Sequence, residues 1–276
     1  MNNFWTRTLT GAVFVILMTG SILWNIWSFI GMFSLVAILG LWEFCTLVEQ
    51  KEERISKMAG IILGIVLIAA SAGKYFLITP EVIIHRSMHF VIILFPIFLI
   101  LSLFNGKSLF QYISPTLFGI LYVILPFCYL IISYSSLNYL SGENNSRIIL
   151  GYFLLLWSND TFAYLIGRSI GRTRLFERIS PKKTWEGTIG GVVCTLGIAY
   201  VLSIYFTELS FIHWLTIALL TSIFGTLGDL VESMFKRNVG VKDSGNVLPG
   251  HGGILDRFDG VLLSSPFVAI YLMLIR

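Results

Sequence analysis

The sequence predicts an all-α, polytopic integral membrane protein of about nine transmembrane helices, with polar loops on the cytoplasmic side forming an active site. Three observations predict it. The 276 residues are 56% hydrophobic and only 12% charged, and the mean hydropathy of +0.83 lies outside the range of soluble domains. The apolar residues fall in long runs that suit membrane spans of about 20 residues. The charges gather in a few short polar stretches, chiefly between Asp229 and Asp259.

From Thr8 to Val48 the only charge is Glu43, and the stretch is long enough for two spans with a turn near Asn25 to Ser28. Leu9 onward reads as a retained span, since no small-residue cleavage site follows a short apolar region. Glu43 stands near its cytoplasmic end and is expected only to snorkel or pair. A third span covers Met58 to Thr79, and Pro80-Glu81 breaks the chain. The fourth is Met88 to Phe104, with His85 and His89 before and within it at a spacing that ligands can use but with no acid nearby beyond Glu81. The fifth runs from Pro115 to about Asn138, and the sixth from Ile148 to Ile166 carries Asp160. The seventh is Thr188 to Phe206. The eighth starts at Trp214 and continues as a polar helix to about Arg237, and the ninth is Val261 to Ile275. The organisation expected is an N-terminal set of about five spans (1–147) and a C-terminal catalytic region (148–276) with its polar loop at 229–259. Cys45, Cys128 and Cys194 read as small membrane-embedded hydrophobes rather than a disulfide framework or zinc site.

Nine spans put alternate loops on opposite sides. Fifteen Lys and Arg then fall on the side of the N-terminus and four on the other, a strong positive-inside bias. The N-terminus and both large polar loops are expected in the cytoplasm, and the C-terminus outside.

The chemistry concentrates in those loops. An unpaired charge in hydrocarbon costs about 3 kcal/mol or more, so the 229–259 stretch, with five acids and seven glycines from Gly228 to Gly260, must face water. Asp229, Glu232, Ser233 and Lys236 stand at i, i+3, i+4 and i+7, on one helix face. Asp256 and Asp259 repeat the i, i+3 spacing. Two acid pairs flanking a glycine-rich loop suit a hard cation such as Mg²⁺, which prefers a few carboxylates and substrate phosphate oxygens. The plain alternative is a solvated helix end in which these acids pair with Lys236, Arg237 and Arg257. Lys242, Asp243 and the run Pro249-Gly250-His251-Gly252-Gly253 offer a cation, an imidazole and backbone N–H groups able to approach an anion. An ordinary turn fits the glycines as well, and His251 suits a general base, a phosphate donor or a structural role, with phosphate contact favoured.

The loop 167–187 is basic and ends in Ser180-Pro181-Lys182-Lys183-Thr184-Trp185-Glu186-Gly187, beside a helix start. Lys182 and Lys183 suit substrate phosphates, and also lipid headgroups. Upstream, basic residues interleave with Leu175, Phe176 and Ile179 as in interfacial segments. Asp160, with Ser158, Asn159 and Thr161 around it, is the intramembrane acid most suited to a function.

The segment Ser233 to Asp259 resembles, position for position, the signature of the phosphatidate cytidylyltransferases (CDP-diacylglycerol synthases): Ser-x-apolar-Lys-Arg, then Lys-Asp, apolar-Pro, and His-Gly-Gly-apolar-x-Asp-Arg-apolar-Asp. The Ser-Pro-Lys-Lys-x-x-Glu-Gly run and the Asp229 helix look like this family too, while before about residue 150 the likeness rests on hydropathy and length. The resemblance implies that CTP and phosphatidic acid are the substrates, that CDP-diacylglycerol and pyrophosphate are the products, and that Mg²⁺, or two metal ions, is held by Asp229, Asp256 and Asp259. The candidates for phosphate binding are Lys182, Lys183, Lys236, Arg237, Lys242, Asp243, Gly252, Gly253 and Arg257, and the expected catalytic set is Asp229, Asp256, Asp259, Lys182 and His251. Asp160, Glu186 and Glu232 are further candidates. Membrane lipids are partners and nucleic acid is not; a homodimer is compatible with the sequence, which leaves the oligomeric state open. Two other classes remain alternatives. A CDP-alcohol phosphotransferase begins Asp-Gly, as Asp259-Gly260 does, but its motif does not continue here. A transporter would use Asp160 and Glu43 as an ion path, yet transporters place polar groups at mid-membrane in related halves.

Overall fold

The computed structural model describes residues 3–49, 57–72, 115–141, 146–245, 247 and 252–275. They form eight α-helices and one small hairpin: α1 (Asn3–Trp24), α2 (Ile26–Glu49), α3 (Lys57–Ala72), α4 (Leu125–Ser141), α5 (Ser146–Ile170), β1 (Arg174–Phe176), β2 (Ser180–Thr184), α6 (Trp185–Tyr205), α7 (Phe211–Val239) and α8 (Leu255–Leu274). Six helical stretches among the described residues are long and apolar enough to cross a membrane, and Thr8–Trp24 and Lys57–Ala72 are shorter apolar helices. The all-α membrane class therefore stands. The span expected at 88–104, with His85 and His89, lies outside the described residues.

The chain divides into two compact units. One comprises Met1–Gly142 and Asp243–Arg257, the other Glu143–Lys242 and Phe258–Arg276.

In the first unit, α1 and α2 break where the sequence expects a turn. Asn25 Oδ1 accepts the Ser28 N–H at 2.9 Å, and Ser28 Oγ accepts the Asn25 N–H at 3.2 Å. This reciprocal cap satisfies two donors that the first turn of a helix leaves unpaired. A π-helical turn, Ile120–Ile124, precedes α4; Pro126 lacks the N–H that a regular ladder needs next, and a widened turn is one response. Phe29 stacks on Tyr134 with centroids 4.3 Å apart, and the Tyr134 hydroxyl donates to the Ile22 carbonyl at 3.0 Å. Such a bond matters where no water competes for the carbonyl.

In the second unit, small residues let α5 and α6 approach closely. A Cβ on Gly187 would meet the Ala163 carbonyl oxygen at 2.6 Å, and one on Gly191 would meet the Ala163 Cβ at 2.9 Å. Close packing of this kind drives helix association where lipid offers no hydrophobic gain. Thr184 caps α6 by accepting the Gly187 N–H at 3.2 Å. The basic loop expected before α6 contains an antiparallel hairpin, β1–β2, which the sequence reading leaves as loop. Helix α7 is one continuous element of 29 residues, matching the expected extension of the eighth span. It ends at Gly240, whose φ of 83° is left-handed and whose N–H closes on Arg237 O at 3.1 Å. Helix α8 starts at Leu255 rather than Val261, so Asp256 and Asp259 lie in its first turns.

Candidate active site

Each unit carries one part of the predicted constellation. In the second unit, Lys183 at the end of β2 forms an ion pair with Asp229 on α7. The two belong to separate sequence motifs, the Ser-Pro-Lys-Lys run and the acidic helix, and the fold brings them into contact. One turn along α7, Glu232 pairs with Lys236 at 2.5 Å, with the glutamate side chain only 1% exposed. Ser233 Oγ lies 3.3 Å from Asp229 Oδ1. The spacing i, i+3, i+4 and i+7 is thus realised, but not as a solvated helix end: Glu232 is buried with its lysine, and Asp229 takes its cation from another element.

Gly228 brings α8 against this face. A Cβ there would meet the Asp259 carbonyl oxygen at 2.4 Å, so the absence of a side chain is what permits the approach. Asp259 consequently feels the charges of Asp229, Glu232 and Asp160, and Asp160 those of Lys183 and Asp229. Four carboxylates face two ammonium groups. Carboxylates brought this close repel one another unless a proton or a cation stands between them. Among the described residues no three acidic, imidazole or thiol side chains converge to enclose a metal ion by themselves. Carboxylates without a third protein ligand are the donor type Mg²⁺ uses when phosphate oxygens and water complete its shell.

The chain belongs to the cytidylyltransferase family. The family's model matches residues 5–275. A phosphatidate cytidylyltransferase from Staphylococcus haemolyticus (strain JCSC1435) is 44% identical over 153 residues, 53% of this chain and 58% of the relative. One from Staphylococcus saprophyticus subsp. saprophyticus shows the same identity and coverage, and one from Staphylococcus epidermidis is 43% identical over the same length. The match spans about 58% of the length of these curated relatives.

In this chain the first unit holds the other part of the predicted constellation. Asp256 Oδ2 accepts the Ser244 N–H at 2.9 Å, the Gly253 N–H at 2.8 Å and lies 3.0 Å from Ser244 Oγ. Gly252 adopts φ +85°, and a Cβ on it would stand 2.6 Å from Asp256 Oδ2; only glycine takes this backbone without strain. Two of the glycines expected to cradle phosphate are therefore packed on the protein's own carboxylate, and the Gly253 N–H is engaged by it. Lys182, Arg237, Lys242, Asp243 and Arg257 are exposed, whereas Lys183 is half-buried. His251, with Pro249 and Gly250, lies outside the described residues.

Glu186 is engaged in the second unit by backbone. Its carboxylate accepts the N–H groups of Arg172 and Thr173 at 3.1 Å, tying the start of the hairpin to the first turn of α6. Glu43 is the residue the sequence reading misplaced. It does not snorkel, and among the described residues it pairs with no cation: it is 5% exposed and accepts the N–H groups of Ile254 and Leu255 at 3.0 Å each. Its signal was a lone acid in a long apolar run; its partners are some two hundred residues away and carry no charge pattern. Cys45 and Cys128 are buried and all three cysteines are free, as small hydrophobes would be.

Proposed function

We propose that this protein transfers a cytidylyl group from CTP to phosphatidic acid, releasing pyrophosphate and giving CDP-diacylglycerol for phospholipid synthesis. The observation that carries the reading is the Lys183–Asp229 ion pair beside Asp160 and Asp259, because it joins the Ser-Pro-Lys-Lys run and the acidic helix in one charged cluster. The relatives' printed name points the same way.

The phosphate of phosphatidic acid is already an anionic nucleophile, so the reaction needs no strong base. One of its oxygens forms a bond to the α-phosphorus of CTP, the bond from that phosphorus to the β-phosphate oxygen breaks, and the electron pair leaves with pyrophosphate. Both reactants are anions, so positioning and charge neutralisation supply most of the acceleration. Asp229 and Asp259, with Asp160 adjacent, are the residues to hold Mg²⁺ or a pair of ions, which neutralises phosphate oxygens when bound. Lys183 is fixed by Asp229 and presents its ammonium group to a phosphate, with Lys182 beside it in sequence. Lys236, Arg237, Lys242 and Arg257 supply further positive charge, and Asp243, Gly252, Gly253 and His251 shape the same region of the chain. Asp256 is assigned to the metal set with the others, through whatever its backbone partners leave available.

In this reading residues 148–276 carry the catalytic groups and 1–147 the supporting helices. The N-terminus and the polar loops face the cytoplasm, where CTP is found, and the C-terminus is outside the cytoplasmic membrane; the positive-inside bias supports this. The partners are CTP, phosphatidic acid and the surrounding membrane lipids, and a homodimer is the assembly to test by light scattering in detergent.

The test is an assay with labelled CTP and phosphatidic acid in mixed micelles, with Mg²⁺ and with excess EDTA. A lipid-soluble labelled product that needs Mg²⁺ and disappears in Asp259→Asn supports the reading. Folded wild-type protein that yields no such product refutes it and returns the transporter to consideration.

A further inference from the structure

We propose that Glu43 is a positioning residue for the signature segment: from α2 it fixes the start of α8 and, through the hydroxyl of Ser244, sets where the Asp256 carboxylate stands. The proposal rests on the function proposed above.

An ionised carboxylate buried in a membrane helix is costly unless donors surround it. Glu43 has three. The N–H groups of Ile254 and Leu255 reach its two oxygens at 3.0 Å, and Ser244 Oγ lies 3.1 Å from Oε2. The two amides belong to the N-terminus of α8, where backbone donors lack intrahelical partners and the helix dipole favours an anion. Glu43 therefore acts as a cap supplied from another helix.

Ser244 couples this cap to Asp256. Its hydroxyl is within hydrogen-bond distance of Glu43 Oε2 at 3.1 Å and of Asp256 Oδ2 at 3.0 Å. A hydroxyl has one proton, so it can donate to only one of the two carboxylates at a time. Neutralising one of them changes which carboxylate the serine serves.

The glycines corroborate the arrangement. A Cβ on Gly245 would stand 2.3 Å from Glu43 Oε1, and one on Gly253 2.4 Å from both Glu43 oxygens and 2.1 Å from Ser244 Oγ. These positions are open because a carboxylate from α2 fills the space.

The experiment compares wild type, Glu43→Gln, Ser244→Ala, the double variant and Leu41→Ala, all purified in detergent. Leu41 is fully buried on the same helix and reports general loosening of α2. Charge-assisted hydrogen bonds of this kind correspond to about a 10- to 100-fold loss of kcat in Glu43→Gln. KM for CTP is expected to stay within about twofold, as for a group that does not bind substrate. The double variant should be no slower than Glu43→Gln alone, because both act through one chain of contacts. Hydrogen exchange at the Ile254 and Leu255 amides should accelerate in Glu43→Gln and not in Leu41→Ala. The proposal is overturned by wild-type kcat in Glu43→Gln, by losses that multiply in the double variant, or by a loss that Leu41→Ala reproduces at equal Tm. It is also overturned if the two amides stay protected in Glu43→Gln. A wild type that is inactive yet shows the expected exchange pattern overturns the proposed function instead, and with it the catalytic consequence assigned to Glu43.

Discussion

Replacing Gly228 with alanine is expected to separate structural tolerance from catalysis in the second unit. The added methyl would lie 2.4 Å from the Asp259 carbonyl oxygen and 3.2 Å from Leu263 Cβ. Ordinary contacts stand at about 3.5 Å, so α8 must shift from α7 by about 1 Å. The crowded atom is backbone and cannot rotate aside. Overpacking of this kind destabilises by about 1–3 kcal/mol, while alanine in place of a helical glycine stabilises by about 0.5–1 kcal/mol; the net loss of stability is about 0–2.5 kcal/mol. A displacement of about 1 Å in a charged site can cost about 100-fold in rate, or ~2.7 kcal/mol. Activity should therefore fall much further than stability. The matched control is Gly197→Ala on α6, where an added Cβ meets nothing within 4 Å. Both variants are assayed for kcat in mixed micelles and for Tm in the same detergent. Wild-type kcat in Gly228→Ala, or an equal loss in Gly197→Ala, would refute the idea that the close approach of these helices sets the acid cluster.

Other outcomes follow from the same geometry. Lys183→Gln should lower kcat/KM by about 100-fold or more if its ammonium meets phosphate, yet shift stability by at most about 1 kcal/mol, since its ion pair with Asp229 is partly exposed; steady-state kinetics and a melting curve check both. Ser264 Oγ lies 2.6 Å from the Gly260 carbonyl and must donate its proton there, so Tyr152, 2.7 Å away, donates to Ser264. Ser264→Ala then leaves a buried hydroxyl without its acceptor and should destabilise by about 1–3 kcal/mol, while Tyr152→Phe leaves the serine satisfied and should destabilise less through the hydrogen bond; Tm ranks the pair. Glu186→Gln should speed hydrogen exchange at the Arg172 and Thr173 amides, which it now accepts, and unchanged exchange would remove its assigned role.

Most of the helical framework was legible because hydrocarbon admits few charges: a run such as Thr8 to Val48 has no other reading, and Asn25 with Ser28 marks the break inside it. The end of α7 was legible to within a turn: the sequence puts it near Arg237, and the helix runs to Val239 and closes at a left-handed Gly240. The acidic face of α7 was legible from spacing alone. The hairpin was not, because strands of three and five residues rich in Arg and Lys lack a clear alternation and form through pairing between them. Gly252 and Gly253 were read as room for a phosphate; the room is real, but Asp256 and Glu43 fill it. Glu43 itself was opaque for the same reason, since its donors are backbone amides, and amides have no sequence.

The length of α7 has a mechanical consequence. At 1.5 Å per residue its 29 residues extend about 43 Å, against a hydrocarbon layer of about 30 Å. Asp229 stands about 27 Å along the axis from Phe211, close to one layer thickness. The helix thus works as a ruler whose scale is the bilayer. Thinning the layer by about 3 Å, the difference between natural membranes, moves the boundary by two residues along α7. In the proposed reaction, acyl-chain length would then tune how deep the acids stand relative to the lipid headgroups.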